Sequence, residues 1–230
     1  MSALWQALAD PALAYPAWLT LKVVTVTLAA HLVLGLGLGW ALARSGWPGR
    51  GLLDIVVTLP LVFPPLALGF LLLVLLGRRS TVGGWLDAQF GLSFIFTVEG
   101  VMLASIIAGL PLVVKPIEAA IAGVSRSLGE ASRSLGRSEW ETFLFVTLPN
   151  IRGALVAGLV LGTARALGEV GITLMLGGNI VGRTNTMSLE IYNAVFNGEY
   201  DRAMVLSALM GLVSVAVYTV IRRNARPMAG

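Results

Sequence analysis

The sequence contains no cysteine and a single histidine, His31. Disulfide bridges, thiolate metal sites and multi-histidine metal centres are therefore excluded. Charge is also scarce, because charged residues make up 12% of the 230 residues, about half of the ~25% that is usual for a soluble domain. With 57% hydrophobic residues, the chain is neither an ordinary water-soluble globule nor a disordered chain, which needs low hydrophobicity and high charge. This composition indicates one bundle of membrane helices.

Five stretches are long and apolar enough to cross a bilayer as helices, which takes about 20 residues each. The predicted spans are 23–43, 52–77, 94–114, 153–178 and 203–221. Residues 1–16 are too short to span, and their aromatic side chains favour the membrane interface. We therefore expect an interfacial N-terminal segment over 1–16, a single transmembrane domain over 17–222 and a cytoplasmic tail over 223–230.

The basic residues predict the orientation of these spans. Of the 16 Lys and Arg residues, ten fall in loops on one side, five on the other side, and Arg165 lies within the fourth span. Because positively charged loops tend to stay in the cytoplasm, we expect the N-terminus outside and the C-terminus inside. The same distribution accounts for the net charge of +4. It predicts a lipid membrane as the environment and no nucleic-acid partner.

The predicted loop between the third and fourth spans, residues 115–150, has the pattern of two short helices separated by a glycine. Residues 130–135 are predicted to form the first helix, and Gly136 to stop it. Ser138 followed by Glu141 is a capping-box signature for a second helix, which Pro149 is predicted to end. A helix–glycine–helix elbow of this kind suits a groove in another protein.

This loop resembles the coupling loop of importer-type ABC transporter permeases. The family pattern is Glu-Ala-Ala, three residues, Gly, nine residues, Ile, one residue, Leu-Pro, and the spacing here matches throughout. Serine replaces the second alanine, and valine replaces the isoleucine. The matching residues are Glu130, Ala131, Ser132, Gly136, Val146, Leu148 and Pro149. The resemblance implies an all-α importer permease with about five transmembrane helices, located in a bacterial or archaeal cytoplasmic (inner) membrane, whose loop docks on a partner ATPase subunit.

The sequence has no Gly-x-x-x-x-Gly-Lys-Ser/Thr phosphate loop. We therefore expect a translocation subunit that is not itself an enzyme and has no catalytic residues. The resemblance implies that ATP and Mg²⁺ are bound by the partner ATPase and that this chain holds no cofactor and no metal. It also implies an extracytoplasmic substrate-binding protein. Because five helices are few for enclosing a pathway, we expect two copies of the permease related by a two-fold axis.

The fourth predicted span carries two ionisable residues, Arg165 and Glu169, four positions apart and hence on one face of a continuous helix. Ionisable residues inside a membrane are costly and usually face a cavity or a partner. The pair is therefore either a structural ion pair or part of the pathway or its gate. Residues 166–171 and 177–184 resemble the molybdate branch of the family, and the sulfate/thiosulfate and tungstate branches are similar here. The implied cargo is a tetrahedral oxyanion, with molybdate as the first expectation and the others as alternatives.

Other patterns predict packing rather than chemistry. Gly35, Gly37 and Gly39 in the first span predict a close helix-packing face. Three prolines in the second span predict a kink that either is structural or lines a pathway. An outer amphipathic helix within 188–196 either receives the binding protein or packs on its own bundle. A secondary transporter is a weaker alternative, because five spans do not divide into two repeats, and titratable groups are too sparse for a membrane enzyme.

Overall fold

The computed structural model describes residues 11–44, 46–124 and 126–224. Over these residues it contains helices and no strand, which confirms the predicted all-α class. Most of the predicted interfacial segment and most of the predicted tail lie outside the described residues. In chain order the helices are α1 (Ala14–Ala43), α2 (Arg50–Val62), α3 (Pro65–Leu76), α4 (Thr81–Phe90), α5 (Val98–Gly123), α6 (Arg126–Ser134), α7 (Glu139–Thr142), α8 (Leu148–Leu167), α9 (Gly171–Gly177), α10 (Met187–Phe196) and α11 (Tyr200–Asn224).

Four stretches in the described part of the chain are long and apolar enough to cross a membrane. They are Ala14–Ala43, Val98–Gly123, Glu139–Leu167 and Tyr200–Ile221. A fifth candidate is the pair of α3 and α4, which is bent by 58° at the short break between its helices. The number of four to five candidate spans agrees with the sequence prediction, although two of the predicted spans differ in their course.

Helix α5 is the central helix of the bundle and packs against α1, α2, α8 and α9. Glycines on α1 let the two backbones approach. A Cβ atom built on Gly35 would lie 2.5 Å from Val113 of α5, and one on Gly39 would lie 2.6 Å from Ile117. Gly37 is exposed and would meet nothing within 4 Å. The predicted packing face therefore consists of Gly35 and Gly39, which are four residues apart, and the inclusion of Gly37 was wrong.

Helix α8 crosses α5 at a second close contact, and His31 from α1 fills the space beside it. A Cβ atom on Gly109 of α5 would lie 2.4 Å from the carbonyl oxygen of Gly162 on α8 and 2.5 Å from Cε1 of His31. The imidazole is fully buried, and its Nε2 is 2.9 Å from the carbonyl oxygen of Ile106. Three helices thus meet around one histidine, where small residues permit the approach.

The second predicted span, 52–77, is broken in the structure. Helix α2 ends at Val62, Phe63 and Pro64 adopt extended backbone angles, and α3 begins at Pro65. Consecutive prolines cause the break, since each lacks an amide hydrogen and each forces the residue before it out of the helical region. Pro60, in contrast, stays inside α2. The expectation of one continuous, kinked helix was therefore wrong for this span.

The fourth predicted span, 153–178, also differs. Its helix begins earlier, at Leu148, and ends at Leu167. Residues 168–170 are not helical, and the separate short helix α9 follows. Arg165 lies in the last turn of α8, whereas Glu169 lies beyond its end. The prediction that both residues share one helix face was therefore wrong.

Candidate functional site

The elbow between α5 and α8 has the predicted local structure. Helix α6 ends before Gly136, whose φ of +80° lies in the left-handed region that favours glycine. Ser138 and Glu141 form a reciprocal capping box: Glu141 N donates to Ser138 Oγ at 3.2 Å, and Ser138 N donates to Glu141 Oε2 at 2.7 Å. Helix α6 begins at Arg126 rather than at Glu130. The chain reversal at Gly136 and the capping box at Ser138 therefore both stand where the sequence predicts them.

A pair of hydroxyl groups joins the two helices of the elbow. Ser132 Oγ of α6 lies 3.0 Å from Thr142 Oγ1 of α7, and both residues are buried. Ser132 is the position at which the family pattern has its second alanine. The sequence drew attention to Ser132 only as a departure, and it gave no signal for Thr142, because the two residues are ten positions apart on separate helices.

Pro149 does not end a helix, in contrast to the prediction. The chain passes from α7 through a π-helical turn, Phe143–Thr147, directly into α8, and Pro149 lies in the first turn of α8. A proline ring clashes with the carbonyl group four residues earlier in a regular helix. The wider π turn changes the hydrogen-bond spacing just before the proline, so the helical course continues into the membrane span.

The elbow exposes large apolar side chains in an otherwise polar segment. The exposed fraction is 83% for Leu135, 74% for Trp140 and 64% for Phe145. Glu130 and Ala131 are exposed as well. Behind the elbow, a cavity of about 620 Å³ is lined on one side by Glu130, Glu139 and Val146 and on the other by the C-terminal ends of α1 and α5. The elbow is therefore a candidate contact surface, because these apolar groups lie on a segment that also carries many charged and polar residues.

The C-terminal end of α1 contacts the elbow through an ion pair that the sequence did not indicate. Arg44 Nη2 lies 3.3 Å from Glu139 Oε2 of α7. The guanidinium also lies 3.8 Å from the ring of Trp40, in cation–π geometry. Both partners of the ion pair are more than half exposed, so the pair contributes little to stability. Its effect is to connect the elbow to the helix that packs along α5.

The break in the fourth predicted span forms the second candidate site. Arg165 Nη1 lies 2.5 Å from Glu169 Oε2, so the two residues pair although they do not share a helix. The other carboxylate oxygen, Oε1, accepts a hydrogen bond of 2.6 Å from the backbone N–H of Ile172. Glu169 therefore caps the start of α9 as well as pairing with Arg165. The Glu169 side chain is 1% exposed, whereas that of Arg165 is 32% exposed.

The two broken segments lie side by side. A Cβ atom on Gly171, the first residue of α9, would lie 2.9 Å from Cβ of Pro65, the first residue of α3. One turn further along α3, a Cβ on Gly69 would lie 2.9 Å from Met175 and 3.0 Å from Cα of Ile172. The two short helices are therefore in close backbone contact, and both begin at the same level of the bundle.

The segment 177–184, which carries the resemblance to oxyanion permeases, folds as a hydrogen-bonded turn between α9 and α10. Gly178, Asn179 and Gly182 have positive φ angles. Thr184 Oγ1 donates to the carbonyl oxygen of Gly177 at 2.7 Å, and Asn185 Nδ2 donates to Asn179 Oδ1 at 3.1 Å. These polar groups form hydrogen bonds within the chain, and those bonds account for the shape of the turn.

The predicted outer helix is present as α10. Its residues do not form one uniformly buried stripe: Leu189 is buried, while Tyr192 and Phe196 are exposed and stack with ring centroids 6.1 Å apart. Ser188 Oγ donates to the carbonyl oxygen of Leu167 at 2.5 Å. The helix is therefore attached to the end of α8 and still presents an aromatic pair to its surroundings.

The chain belongs to an established class of membrane transport proteins. Residues 34–227 match the family of binding-protein-dependent transport system inner membrane components, and the protein is a member of this family of ABC importer permeases. The resemblance inferred from the elbow is thereby confirmed.

Among individual proteins, this chain is similar to permeases of molybdenum and sulfate transport systems. The molybdenum transport system permease ModB of Escherichia coli K12 is 37% identical over 223 residues, covering 94% of this chain and 97% of that protein. ModB of Haemophilus influenzae is 40% identical over 177 residues, which is 77% of each chain. The sulfate transport system permease CysW of E. coli K12 is 34% identical over 223 residues, covering 94% of this chain and 75% of that protein.

Solved structures show the same fold. A bacterial ABC transporter that imports the acidic polysaccharide alginate matches with a TM-score of 0.81, covering 100% of this chain and 84% of the other at 18% identity. The methionine ABC transporter MetNI, in an inward-facing conformation, matches with a TM-score of 0.70, covering 95% of this chain and 98% of the other at 18% identity.

Proposed function

We propose that this protein is the permease subunit of an ATP-driven importer that carries a tetrahedral oxyanion, with molybdate as the cargo. The supporting observation is the similarity to molybdenum permeases, at 37% identity over 94% of this chain and at 40% identity over 77% of it, compared with 34% over 94% for the sulfate permease CysW. Molybdate, tungstate and sulfate share tetrahedral shape and double negative charge. Sulfate/thiosulfate and tungstate therefore remain the alternatives that an experiment has to separate.

The decisive experiment is uptake by the complete complex in liposomes, with the ATPase subunit and the binding protein present. We expect molybdate uptake that requires ATP and Mg²⁺, competition by tungstate at similar concentrations, and little competition by sulfate in large excess. The matched control is the same complex with a non-hydrolysable ATP analogue, which should abolish uptake. Sulfate competing as well as tungstate would assign the permease to the sulfate branch, and tungstate blocking molybdate uptake at concentrations far below that of molybdate would assign it to tungstate. Uptake without ATP would contradict an ABC mechanism.

We infer that the elbow formed by α6 and α7 is the docking site for the ATPase subunit. The exposed Leu135, Trp140 and Phe145 support this role, because an isolated membrane protein gains nothing by placing large apolar groups in water. Under this proposal the partner binds ATP and Mg²⁺, and this chain holds no cofactor. Trp140→Ala should reduce co-purification of the ATPase. Trp85→Ala, at a 56% exposed tryptophan of α4, is the matched control and should have no effect; equal effects of the two would argue against the docking site.

We infer further that two copies of the chain enclose the pathway. Helix α8 exposes the small residues Gly153, Ala157 and Ala164 on one side, with the larger Leu161 between the two alanines, and the exposed Gly168 follows just beyond the helix. Small exposed residues permit close helix contact in lipid. Because the chain has no cysteine, Ala164→Cys should produce a disulfide-linked dimer on mild oxidation. Val33→Cys, at a 70% exposed position of α1, should not. Cross-linking at Val33 alone would place the interface on α1.

On this arrangement Arg165 is the side chain that we propose at the pathway or its gate. It is next to Ala164 on α8 and keeps a third of its surface exposed while paired with Glu169. A guanidinium offers a planar set of donors that suits a tetrahedral oxyanion. Glu169 holds Arg165 in place through their ion pair. It does not bind the cargo itself, because a carboxylate repels an oxyanion.

The orientation can be tested with the same cysteine-free chain. Ser134 in the elbow and Val181 in the outer turn are both exposed. Ser134→Cys should react with a membrane-impermeant thiol reagent only from the cytoplasmic side, and Val181→Cys only from outside. Asn185 in the same outer loop is fully buried and is unsuitable for labelling. The opposite labelling pattern would reverse the proposed N-outside, C-inside topology.

A further inference from the structure

A small internal cavity lies where α1, α5, α9 and the segment before α10 meet. Its volume is about 10 Å³, close to the ~10–15 Å³ that one water molecule needs. Five polar side chains line it: Thr20, Ser105, Glu169, Thr173 and Thr186. The other lining residues are apolar: Val23 and Val24 of α1, and Ala166 and Leu167 at the end of α8. All five polar residues are less than a tenth exposed. The cavity is therefore water-sized and buried and offers several polar groups, whereas cavities that stay dry are lined by apolar groups alone.

The hydrogen bonds of these side chains leave donors and acceptors for one more molecule. Thr173 Oγ1 is buried and has no hydrogen-bond partner among the described residues. The hydroxyl of Thr20 accepts from the backbone N–H of Met187 at 2.9 Å, and that of Thr186 accepts from Leu189 N at 3.4 Å, so each still has a proton to donate. Glu169 Oε2 is paired with Arg165 at 2.5 Å but has a second lone pair.

From this arrangement we infer that a single bound water molecule occupies the cavity and links Glu169 to Thr20 and Thr173. The water accepts from the threonine hydroxyls and donates to the carboxylate. It thereby satisfies a buried hydroxyl that would otherwise cost free energy. A sodium ion has a similar size, but the charge of Glu169 is already neutralised by Arg165, and the other lining groups are neutral hydroxyls. The charge balance therefore favours water.

The position of this water gives it a structural consequence. Glu169 lies in the non-helical break between α8 and α9, whereas Thr20 and Ser105 lie on α1 and α5, which pack tightly together. The water connects the broken segment to the closely packed pair of helices. The inference does not depend on the nature of the cargo, so failure of the molybdate proposal would leave it unaffected.

X-ray radiolytic labelling of the assembled complex tests the inference directly, because a bound water that is converted to hydroxyl radical modifies the side chains that it touches. Leu167 lines the cavity and is 5% exposed, whereas Leu68 is also 5% exposed and does not line it. We expect several-fold stronger labelling of Leu167 than of Leu68, and loss of that excess in Thr173→Val. Equal labelling of the two leucines in the unmodified protein would overturn the inference.

A stability comparison provides a second readout. Thr27 is also fully buried with an unpartnered hydroxyl, but it does not line the cavity. Thr173→Val should lower the melting temperature of the complex, Thr173→Ser should retain most of it, and Thr27→Val should leave it unchanged or raised. Equal effects of the two valine substitutions would count against a bound water. A wild-type melting temperature that changes when Na⁺ is replaced by choline, with no such change in Thr173→Val, would show that the site holds a cation instead.

Discussion

Replacing Gly109 by alanine tests the closest helix crossing in the structure. The new methyl group would lie 2.4 Å from the carbonyl oxygen of Gly162 and 2.5 Å from Cε1 of His31. The carbonyl belongs to the main chain of α8 and cannot rotate away. The imidazole is held by its contact with the carbonyl oxygen of Ile106. The helices therefore have to separate by several tenths of an ångström along the center of the bundle.

The expected cost follows from two opposing effects. Overpacking of a well-packed core costs about 1–3 kcal/mol, and a main-chain obstacle places this case at the upper end. Alanine in place of glycine stabilises a helix by about 0.8–1.0 kcal/mol through its higher helix propensity. We therefore expect Gly109→Ala to destabilise the folded protein by about 2 kcal/mol. Thermal unfolding of the purified protein in detergent, followed by scanning fluorimetry, measures the change.

Gly37→Ala is the matched control, because Gly37 is also inside a long helix but a Cβ there meets nothing within 4 Å. Only the propensity effect applies at this position, so Gly37→Ala should raise the melting temperature. The two substitutions are chemically identical and are expected to change stability in opposite directions. A Gly109→Ala protein as stable as the Gly37→Ala protein would refute the described crossing of α5 and α8.

Three further predictions concern the candidate sites. Glu169→Gln should lower the stability of the complex because Arg165 loses its counter-charge, and combining it with Arg165→Gln should recover part of that loss; simple addition of the two effects in a double-mutant cycle would mean that the residues do not interact. Ser132→Ala should destabilise the elbow by about 1–3 kcal/mol because it leaves a buried hydroxyl without its partner, whereas Ser132→Ala with Thr142→Val should be nearly neutral in thermal unfolding. Gly136→Leu should reduce ATPase co-purification and uptake through backbone strain of about 1–2 kcal/mol, since space for the side chain is open; Gly136→Asn should retain more of both, and equal loss in the two variants would assign the effect to side-chain contacts.

Local signals in the sequence predicted the elbow well. The capping box and the left-handed glycine each depend on residues within about six positions of one another. The sequence therefore contains all the information that these features need. Ser138 and Glu141 form their predicted reciprocal bonds, and Gly136 has the positive φ that a helix stop requires.

Hydropathy could not predict the breaks in the second and fourth spans. An apolar run has the same hydropathy whether the helix continues through it or not. The outcome depends on whether the freed backbone groups find partners. At Ile172 the partner is the carboxylate of Glu169, and glutamate is not among the residues preferred for this capping role. Pro60 and Pro64 show the same limit, since only Pro64, which a second proline follows, ends the helix.

The sequence also could not predict contacts between residues that are far apart in the chain. Nε2 of His31 lies 2.9 Å from the carbonyl oxygen of Ile106 on α5, which is 75 positions away. The hydroxyl of Thr20 bonds to the backbone of Met187, 167 positions away. The partner of each residue depends on how the helices cross.

The geometry around Glu169 bears on how a permease for an anion can tolerate a carboxylate in its core. An uncompensated carboxylate at this depth would repel an oxyanion through a medium that screens charge poorly. Here one oxygen is paired with Arg165 and the other accepts the Ile172 N–H, so both are engaged on the protein side. Burial of Glu169 and partial exposure of Arg165 place the positive partner of the pair toward the open face of α8. The arrangement thus hides the negative charge and uses it to fix the broken helix. Under the proposal that Arg165 lies at the pathway or its gate, it leaves the guanidinium as the group that a passing oxyanion would meet.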